Sequence, residues 1–385
     1  MHVPVPTEVH GRPVSVPIYQ TSVFAFDDAD DITGALNDPR GQFGYSRFSN
    51  PTVRALEDAA GALEGASATV ATASGMGAIA VAVSSLLEAG DHIVVQQSMY
   101  GGTAGLFADL VKRWGIRITE IPGDEPTALA ATLRPDTRLV YLETISNPMT
   151  AVADIAALAG VARDRGVLTV VDNTFASPIL CRPLEHGADI VVHSTTKYIG
   201  GHSDLTGGVV CYADTVRYRA GWAYAVAIGV TPDPHAAWLT LRGLQTLPLR
   251  IRQACANATE LATRLAEHPA VSAVHHPSLP THPQHALAGK LLDLPGAMLS
   301  FDLVGGAAAA KQFAAAVSLI QLAPSLGGVE TLTMHPASSS HRAYSPEQLA
   351  RAGISPGTIR LSTGIEDVED IWDDLTRALD GTRNS

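Results

Sequence analysis

Between residues 69 and 212, short runs rich in β-branched residues alternate with longer helical stretches, and this alternation limits the chain to few folds. The predicted strands are 69–73, 92–97, 116–121, 138–143, 168–173, 190–194 and 208–212. The predicted helical stretches that separate most of them are 76–88, 103–114 and 154–165. Strands that alternate with helices predict an α/β fold, with a mostly parallel, seven-stranded sheet covered on both faces.

With 385 residues, the chain is too long for one simple core. Residues 1–45 are rich in Pro, Asp and Gly and are predicted to form an irregular N-terminal arm. Residues 46–235 would hold the large sheet, and 236–385 a smaller α+β domain. In that last part the predictions are one helical segment at 235–267, a loop at 275–285, a strand at 298–303 and helices at 307–318 and 366–379.

Charge and composition exclude several classes of partner. The net charge of −12 leaves no basic surface for nucleic acid or for an anionic membrane. There is no apolar run of about 18 residues, so no membrane span is expected. Residues 1–14 contain three prolines and no apolar segment, so a secretory signal is not expected there either. Cys181, Cys211 and Cys255 form no C-x-x-C pair. Such sparse cysteines are typical of a reducing cytoplasm.

The most informative segment is IVVHSTTKYIGG at 190–201. A buried strand ends there at a Ser/Thr cluster, and Lys197 follows. Parallel sheets bind ligands at the carboxyl ends of their strands, and a lysine amine can form a Schiff base with the aldehyde of pyridoxal 5′-phosphate (PLP). Ser194 and Thr196 could donate hydrogen bonds to its phosphate. A single lysine after a strand is more often a surface residue, so this segment needs support from elsewhere.

That support comes from the strand at 168–173, which ends in Asp172. A carboxylate in this position can keep the pyridine nitrogen of PLP protonated, so that the ring acts as an electron sink. By itself such an aspartate is more often a turn residue. An aspartate and a lysine that end neighbouring strands, about 25 residues apart, are what a PLP site requires.

The segment SGMG at 74–77 lies between a strand and a helix, where small residues let backbone N–H groups approach a phosphate. The G-x-G-x-x-A pattern that begins at Gly75 also matches a dinucleotide-binding fingerprint. An NAD-linked oxidoreductase is therefore the competing interpretation, but it leaves Lys197 and Asp172 without a function.

Seven motifs, in order along residues 18–380, resemble the PLP-dependent enzymes of cysteine and methionine metabolism, a family that includes cystathionine γ-synthase, cystathionine γ- and β-lyases and methionine γ-lyase. The motifs are YSRFSNPT, ASGMGA, YGGT, VDNTFASP, HSTTKYIGGHSD, SLGGVET and IRLSTGIEDVEDI. The resemblance implies fold type I of the PLP-dependent transferases, with PLP as the cofactor. It also implies a homotetramer, built as a dimer of dimers with shared active sites.

The resemblance assigns roles residue by residue. It implies that Lys197 is the Schiff-base lysine and proton shuttle, that Asp172 binds the pyridine nitrogen, and that Tyr100 stacks on the ring and can move a proton. The residues implied to surround the phosphate are Gly75, Met76, Ser194 and Thr196, with Tyr45 and Arg47 reaching over from a neighbouring subunit. The residues implied to bind the substrate are Arg360, which grips the α-carboxylate, and its helpers Asn147 and Ser325.

Within the family, several positions depart from familiar subtypes. Gly102 replaces the cysteine typical of methionine γ-lyases, and Ala225 and Val226 replace their Lys-Asp pair. Pro324 and Gly44 replace acidic residues typical of cystathionine-specific members, which removes contacts for a distal amino group and is compatible with a smaller or apolar side chain such as that of methionine. We expect γ-elimination of L-methionine or L-cystathionine to 2-oxobutanoate, ammonia and a thiol. γ-Replacement on an O-acylhomoserine is the alternative, and the intact motif set argues against a non-catalytic scaffold.

Six further histidines receive no catalytic role. His275, His276, His282 and His285 have a Pro-rich spacing that fits no usual metal-ligand pattern, so no metal site is predicted. His193 and His202 flank the lysine motif and are predicted to be packing or capping residues.

Overall fold

The computed structural model describes residues 13–342 and 344–382. Residues 1–12, which belong to the predicted arm and to the segment for which no secretory signal is expected, lie outside the described residues. The helices are α1 Ala29–Asn37, α2 Pro51–Glu64, α3 Gly75–Ser84, α4 Gly101–Trp114, α5 Pro126–Thr132, α6 Ile155–Arg163, α7 Ser177–Leu180, α8 Thr215–Ile228, α9 Pro234–Leu244, α10 Leu247–Ala266, α11 His285–Leu291, α12 Gly306–Ala316, α13 Pro346–Arg351 and α14 Val368–Gly381. The strands are β1 Ala68–Thr72, β2 His92–Gln96, β3 Arg117–Ile121, β4 Thr137–Glu143, β5 Leu168–Asp172, β6 Ile190–His193, β7 Gly208–Tyr212, β8 Val271–His275, β9 Met298–Leu303, β10 Gln321–Leu322, β11 Leu332–Met334 and β12 Thr358–Ser362.

The large sheet has seven strands in the order β1-β7-β6-β5-β4-β2-β3. β2 to β6 run parallel, and β7 lies antiparallel to both of its neighbours. The predicted α/β fold with a mostly parallel, seven-stranded sheet is therefore confirmed. Each predicted strand overlaps an observed one, and in β2, β4, β6 and β7 nearly every residue is buried, as expected for strands covered on both faces.

Helices cover the sheet on both faces, and the side chains of β6 show how. Val191 packs into a core with residues of α2, α6, α9 and α10. Ile190 and Val192 point to the opposite face and pack against residues of α3, α4 and α8. This alternation follows from the period of two residues in a strand.

The start of α2 and the start of α3 follow capping rules. The Asn50 side chain accepts hydrogen bonds from the amides of Thr52 and Val53, and Pro51 takes the first helical position. The Ser74 hydroxyl accepts from the Gly77 amide at 3.0 Å, which places the first turn of α3 directly after β1.

The second sheet has five strands in the order β10-β11-β12-β9-β8. Its core includes apolar residues of α10, α12 and α14. α10 also contributes Ile251 and Ala254 to the core of the large sheet, so this one helix is packed against both sheets. The boundary placed at residues 235 and 236 stays a prediction.

Three sequence predictions were wrong in part. The arm contains α1, which Asp28 caps, so the arm is not irregular throughout. The single helix at 235–267 is two helices, α9 and α10, because Pro248 at the start of α10 disfavours a continuous helix. The loop at 275–285 includes the last residue of β8 and the first residue of α11.

None of the helices within the described residues is both long enough and apolar enough to cross a bilayer.

Candidate active site

The parallel strands β2, β4, β5 and β6 all end at the same edge of the large sheet, where a cavity of about 750 Å³ lies against residues of the second domain. Ten of the twelve residues singled out from the sequence line it: Gly75, Met76, Tyr100, Asn147, Asp172, Ser194, Thr196, Lys197, Ser325 and Arg360. The structure therefore brings together residues that are far apart in the sequence. Tyr45 and Arg47 do not line the cavity of their own chain.

Lys197 lies in the turn that follows β6, and its side chain is largely buried. Its Nζ atom is 3.0 Å from the Oγ atom of Ser325. Burial and the nearby Arg360 guanidinium lower the pKa of Lys197 from 10.5 to about 8. A substantial fraction of this amine is therefore neutral near physiological pH, as a nucleophile or a base must be.

Asp172 ends β5, next to β6 in the sheet. One carboxylate oxygen accepts from the Thr174 amide at 3.0 Å, and the other is 3.3 Å from the Tyr141 hydroxyl. Burial raises the pKa of Asp172, although these hydrogen bonds oppose the rise. No lysine or arginine of the described residues forms an ion pair with this carboxylate, so it suits a cationic nitrogen inside the cavity, such as a protonated pyridine.

The amides of Gly75 and Met76 occupy the first two positions of α3, where N–H groups have no intrahelical acceptor. Gly75 lies so close to Ser194 that an added Cβ atom would be 2.5 Å from the Ser194 Cβ. Only glycine allows the helix start and the end of β6 to approach this closely. Together they form a cradle of donors suited to a phosphate.

Thr196 contributes to this cradle in a more limited way. Its hydroxyl donates to the Gly207 carbonyl at 3.3 Å and accepts from the Gly207 amide at 3.0 Å. The hydroxyl is thus already engaged with the backbone, and it would have to rotate to donate to a phosphate.

Arg360 lies on β12 of the second domain, and its guanidinium is buried. It donates to the Asn147 side-chain oxygen at 3.1 Å and to the Ser325 carbonyl at 2.7 Å. Its Nε atom has no hydrogen-bond partner among the described residues. Burial lowers the pKa of Arg360 to about 10, so the guanidinium stays charged at neutral pH. It suits a substrate carboxylate, which would satisfy the free N–H.

Glu143 is a site residue that the sequence reasoning missed. It ends β4 directly opposite Asp172, and its carboxylate accepts from the Tyr100 amide at 2.5 Å and from the Asn147 amide at 3.1 Å. Burial and the Asp172 charge raise the pKa of Glu143 well above its usual value. Glu143 thus holds two segments that line the cavity. Its position at the end of a predicted strand, like that of Asp172, was a signal that could have identified it.

Tyr45 and Arg47 are placed together on the surface of their own chain. Arg47 donates to the Val226 carbonyl at 2.8 Å, and its guanidinium lies 4.7 Å from the centre of the Phe48 ring. Tyr45 remains 40% exposed. Their predicted reach into a neighbouring subunit stays a prediction.

The histidines are engaged with nearby protein groups. His193 pairs with the buried Glu64 at 2.6 Å, and His202 bonds to the Gly200 carbonyl at 2.8 Å. In the Pro-rich loop, His275 pairs with Asp302 and His276 bonds to a backbone carbonyl. The described part of the chain contains no cluster of three or more His, Cys, Asp or Glu residues placed to hold a metal ion.

The sheet topology does not suit the dinucleotide-binding interpretation. In the described residues the strand before Gly75, β1, pairs only with the antiparallel β7. The fingerprint requires a parallel βαβ unit around its glycine-rich turn. The glycines at 75 and 77 therefore fit a single phosphate better than a dinucleotide.

Comparisons with known proteins give one consistent result. Residues 4–380 match the model of a family described as Cys/Met metabolism PLP-dependent enzyme. An L-methionine γ-lyase from Porphyromonas gingivalis is 42% identical over 369 residues, covering 95% of this chain and 92% of the relative. A cystathionine γ-synthase from Mycobacterium tuberculosis is 42% identical over 366 residues, with the same coverage of 95% and 92%. A crystal structure of cystathionine γ-synthase from Xanthomonas oryzae, in complex with cystathionine, has a TM-score of 0.91 at 43% identity and covers 96% of this chain and 94% of that one.

Proposed function

The chain belongs to the Cys/Met-metabolism PLP-dependent enzymes, and within this family we propose that it catalyses γ-elimination of a sulfur amino acid. The substrate is L-methionine or L-cystathionine, and the products are 2-oxobutanoate, ammonia and a thiol. The observation that carries the proposal is the convergence of the Lys197 amine, the Asp172 carboxylate and the Arg360 guanidinium in one cavity.

These residues fit PLP, the cofactor of the family. Bound PLP supplies an aldehyde carbon for an amine and a pyridine ring that withdraws electrons from the substrate Cα. Asp172 would hold the pyridine nitrogen protonated, because its buried carboxylate has no cationic partner of its own among the described residues. The Gly75 and Met76 amides, with Ser194 and Thr196, would hold the phosphate. Tyr100 would lie against the ring.

The chain's own groups then account for substrate orientation and proton transfer. Arg360, aided by Asn147 and Ser325, would grip the α-carboxylate and so orient the Cα–H bond. The Lys197 amine, neutral in part because of its lowered pKa, would remove the Cα proton and carry protons between substrate carbons. The Tyr100 phenol could exchange a proton with the leaving sulfur.

γ-Replacement on an O-acylhomoserine remains the second candidate function. It shares the same residues, and the cystathionine γ-synthase relative is as similar as the methionine γ-lyase relative, at 42% identity each. The two reactions differ in whether a thiol captures the substrate after the γ-substituent has left.

The experiment incubates the purified holoenzyme with L-methionine, L-cystathionine, or O-succinyl-L-homoserine plus cysteine. 2-Oxobutanoate and thiol from either sulfur amino acid support the proposal. Cystathionine formation without 2-oxobutanoate from either sulfur amino acid would replace it with the synthase.

We further propose a cytoplasmic homotetramer in which dimers share their active sites. In support, Arg47 lies away from the cavity of its own chain, and the three cysteines are free and buried. Light scattering after size-exclusion chromatography gives the assembly state. Mixing inactive Lys197→Ala and Arg47→Ala subunits should restore activity if sites are shared, and no recovery after verified subunit exchange would contradict sharing.

A further inference from the structure

Five charged side chains line the cavity: Glu143, Asp172, Lys197, Arg342 and Arg360. Four of them have a partner or a role described above. Arg342 has neither: among the described residues its guanidinium donates to the Ser339 carbonyl alone, at 3.0 Å, and no carboxylate lies within ion-pair distance of it. An arginine that is both exposed and unpaired at the cavity rim can take an anionic ligand.

The Ser194 end of the predicted phosphate cradle lies at a different strand end from the segment that carries Arg342. The cradle is built from the ends of β1 and β6, whereas the 338–342 segment packs on Gly101 at the start of α4, after β2. The sheet order places β5 and β4 between β6 and β2. The segment that carries Arg342 therefore lies on the β2 side of the cavity, apart from the Ser194 end of the cradle.

A second cavity adjoins the main one at Ser338 and Ser339, in the segment that carries Arg342. This smaller cavity, of about 300 Å³, shares Pro324, Met334, Ser338 and Ser339 with the main one. Its walls are mostly apolar, Lys311 lies at its edge, and no carboxylate lines it. A substituent that enters this smaller cavity contacts mainly apolar side chains, with Lys311 as the one lysine or arginine in the lining. A distal ammonium group would find no acid there.

We propose that Arg342 binds a carboxylate at the far end of the γ-substituent, so that the enzyme prefers amino acids whose leaving group carries a terminal carboxylate. This inference rests on the proposed γ-chemistry and narrows its substrate class: of the two proposed sulfur amino acids it favours L-cystathionine, whose cysteine leaving group ends in a carboxylate, over L-methionine, whose leaving group has none. The chemistry of recognition is a charge-assisted, forked hydrogen bond between the guanidinium and the carboxylate. Its geometry favours arginine over lysine.

The test uses two substrates that differ in the terminal carboxylate, O-succinyl-L-homoserine and O-acetyl-L-homoserine. The variants are Arg342→Gln and Arg342→Lys, and the matched control is Arg351→Gln, an exposed arginine at the end of α13 that does not line the cavity. Holoenzyme kcat/KM is measured for each substrate, together with the salt dependence of KM and the affinity of each variant for PLP.

Arg342→Gln should lower the succinyl-to-acetyl ratio of kcat/KM about tenfold, mainly through KM. In Arg342→Lys the succinyl-to-acetyl ratio of kcat/KM should lie between those of Arg342→Gln and the wild type. In Arg351→Gln the ratio should equal that of the wild type. In the wild type, KM for the succinyl substrate should rise with salt more steeply than KM for the acetyl substrate.

An unchanged ratio in Arg342→Gln would overturn the inference. So would an equal loss on both substrates, which indicates a packing role, or a loss of PLP affinity, which indicates a phosphate contact. If the wild type formed only replacement products with cysteine, the proposed elimination would fail. The succinyl-to-acetyl ratio of kcat/KM, measured from the rate at which the replacement product forms with cysteine, would still decide the role of Arg342.

Discussion

The lowered pKa of Lys197 predicts how fast the apoenzyme takes up PLP as a function of pH. Only the neutral amine can attack an aldehyde, and burial near Arg360 lowers the pKa of this amine from 10.5 to about 8. At pH 7 about 9% of the amine is then neutral, against about 0.03% for an ordinary lysine. The structure thus predicts a gain of roughly 300-fold in reactive amine at neutral pH.

Stopped-flow absorbance of the cofactor, after apoenzyme is mixed with PLP over about pH 6 to 10, measures this directly. The uptake rate should rise about tenfold per pH unit below the pKa and level off above about pH 8. In Arg360→Met the midpoint should move to higher pH, because a cation that disfavours the ammonium has been removed. Arg351→Gln, which changes a distant exposed arginine, should leave the midpoint unchanged. A wild-type midpoint near 10, or no effect of Arg360→Met, would refute the reasoning.

Three substitutions test other parts of the site. Asp172→Asn should lower kcat about 10²- to 10³-fold, because the amide cannot keep the pyridine nitrogen protonated. Steady-state kinetics with saturating PLP measures kcat. Gly75→Ala should weaken PLP binding about tenfold or more, since the added Cβ would lie 2.5 Å from the Ser194 Cβ. Titration of the apoenzyme with PLP measures the affinity, and an unchanged affinity would contradict this prediction. Arg360→Lys should raise KM roughly 10- to 100-fold for every amino acid substrate by removing the forked contact to the α-carboxylate, and a change confined to kcat would count against that role.

The large sheet could be predicted from the sequence because most of its strands are short, rich in β-branched residues and buried on both faces. β6 and β7 are examples, since every residue in them is buried. Such strands differ clearly from the Ala-rich helices between them. The second domain was harder to predict. β8 is only partly buried and leads into a loop rich in His and Pro, so its local sequence resembles a loop.

The candidate site was predictable where chemistry coincides with a strand end or a motif. Asp172 ends β5, Lys197 lies in the turn that follows the neighbouring β6, and Arg360 lies within a recognisable motif. Glu143 and Arg342 were missed for different reasons. Glu143 also ends a strand, but only the register of β4 against β5 shows that it faces Asp172. Arg342 lies in a loop with no local pattern, and only the tertiary structure brings it to the cavity rim.

The most direct measurement of the central claim asks which lysine carries PLP. The chain has four lysines, Lys112, Lys197, Lys290 and Lys311, and only Lys197 lines the main cavity. Borohydride reduction of the holoenzyme, followed by peptide mapping with mass spectrometry, should place the cofactor on Lys197 and leave the three exposed lysines unmodified. Stoichiometric labelling of another lysine, or no labelling at all, would contradict the account.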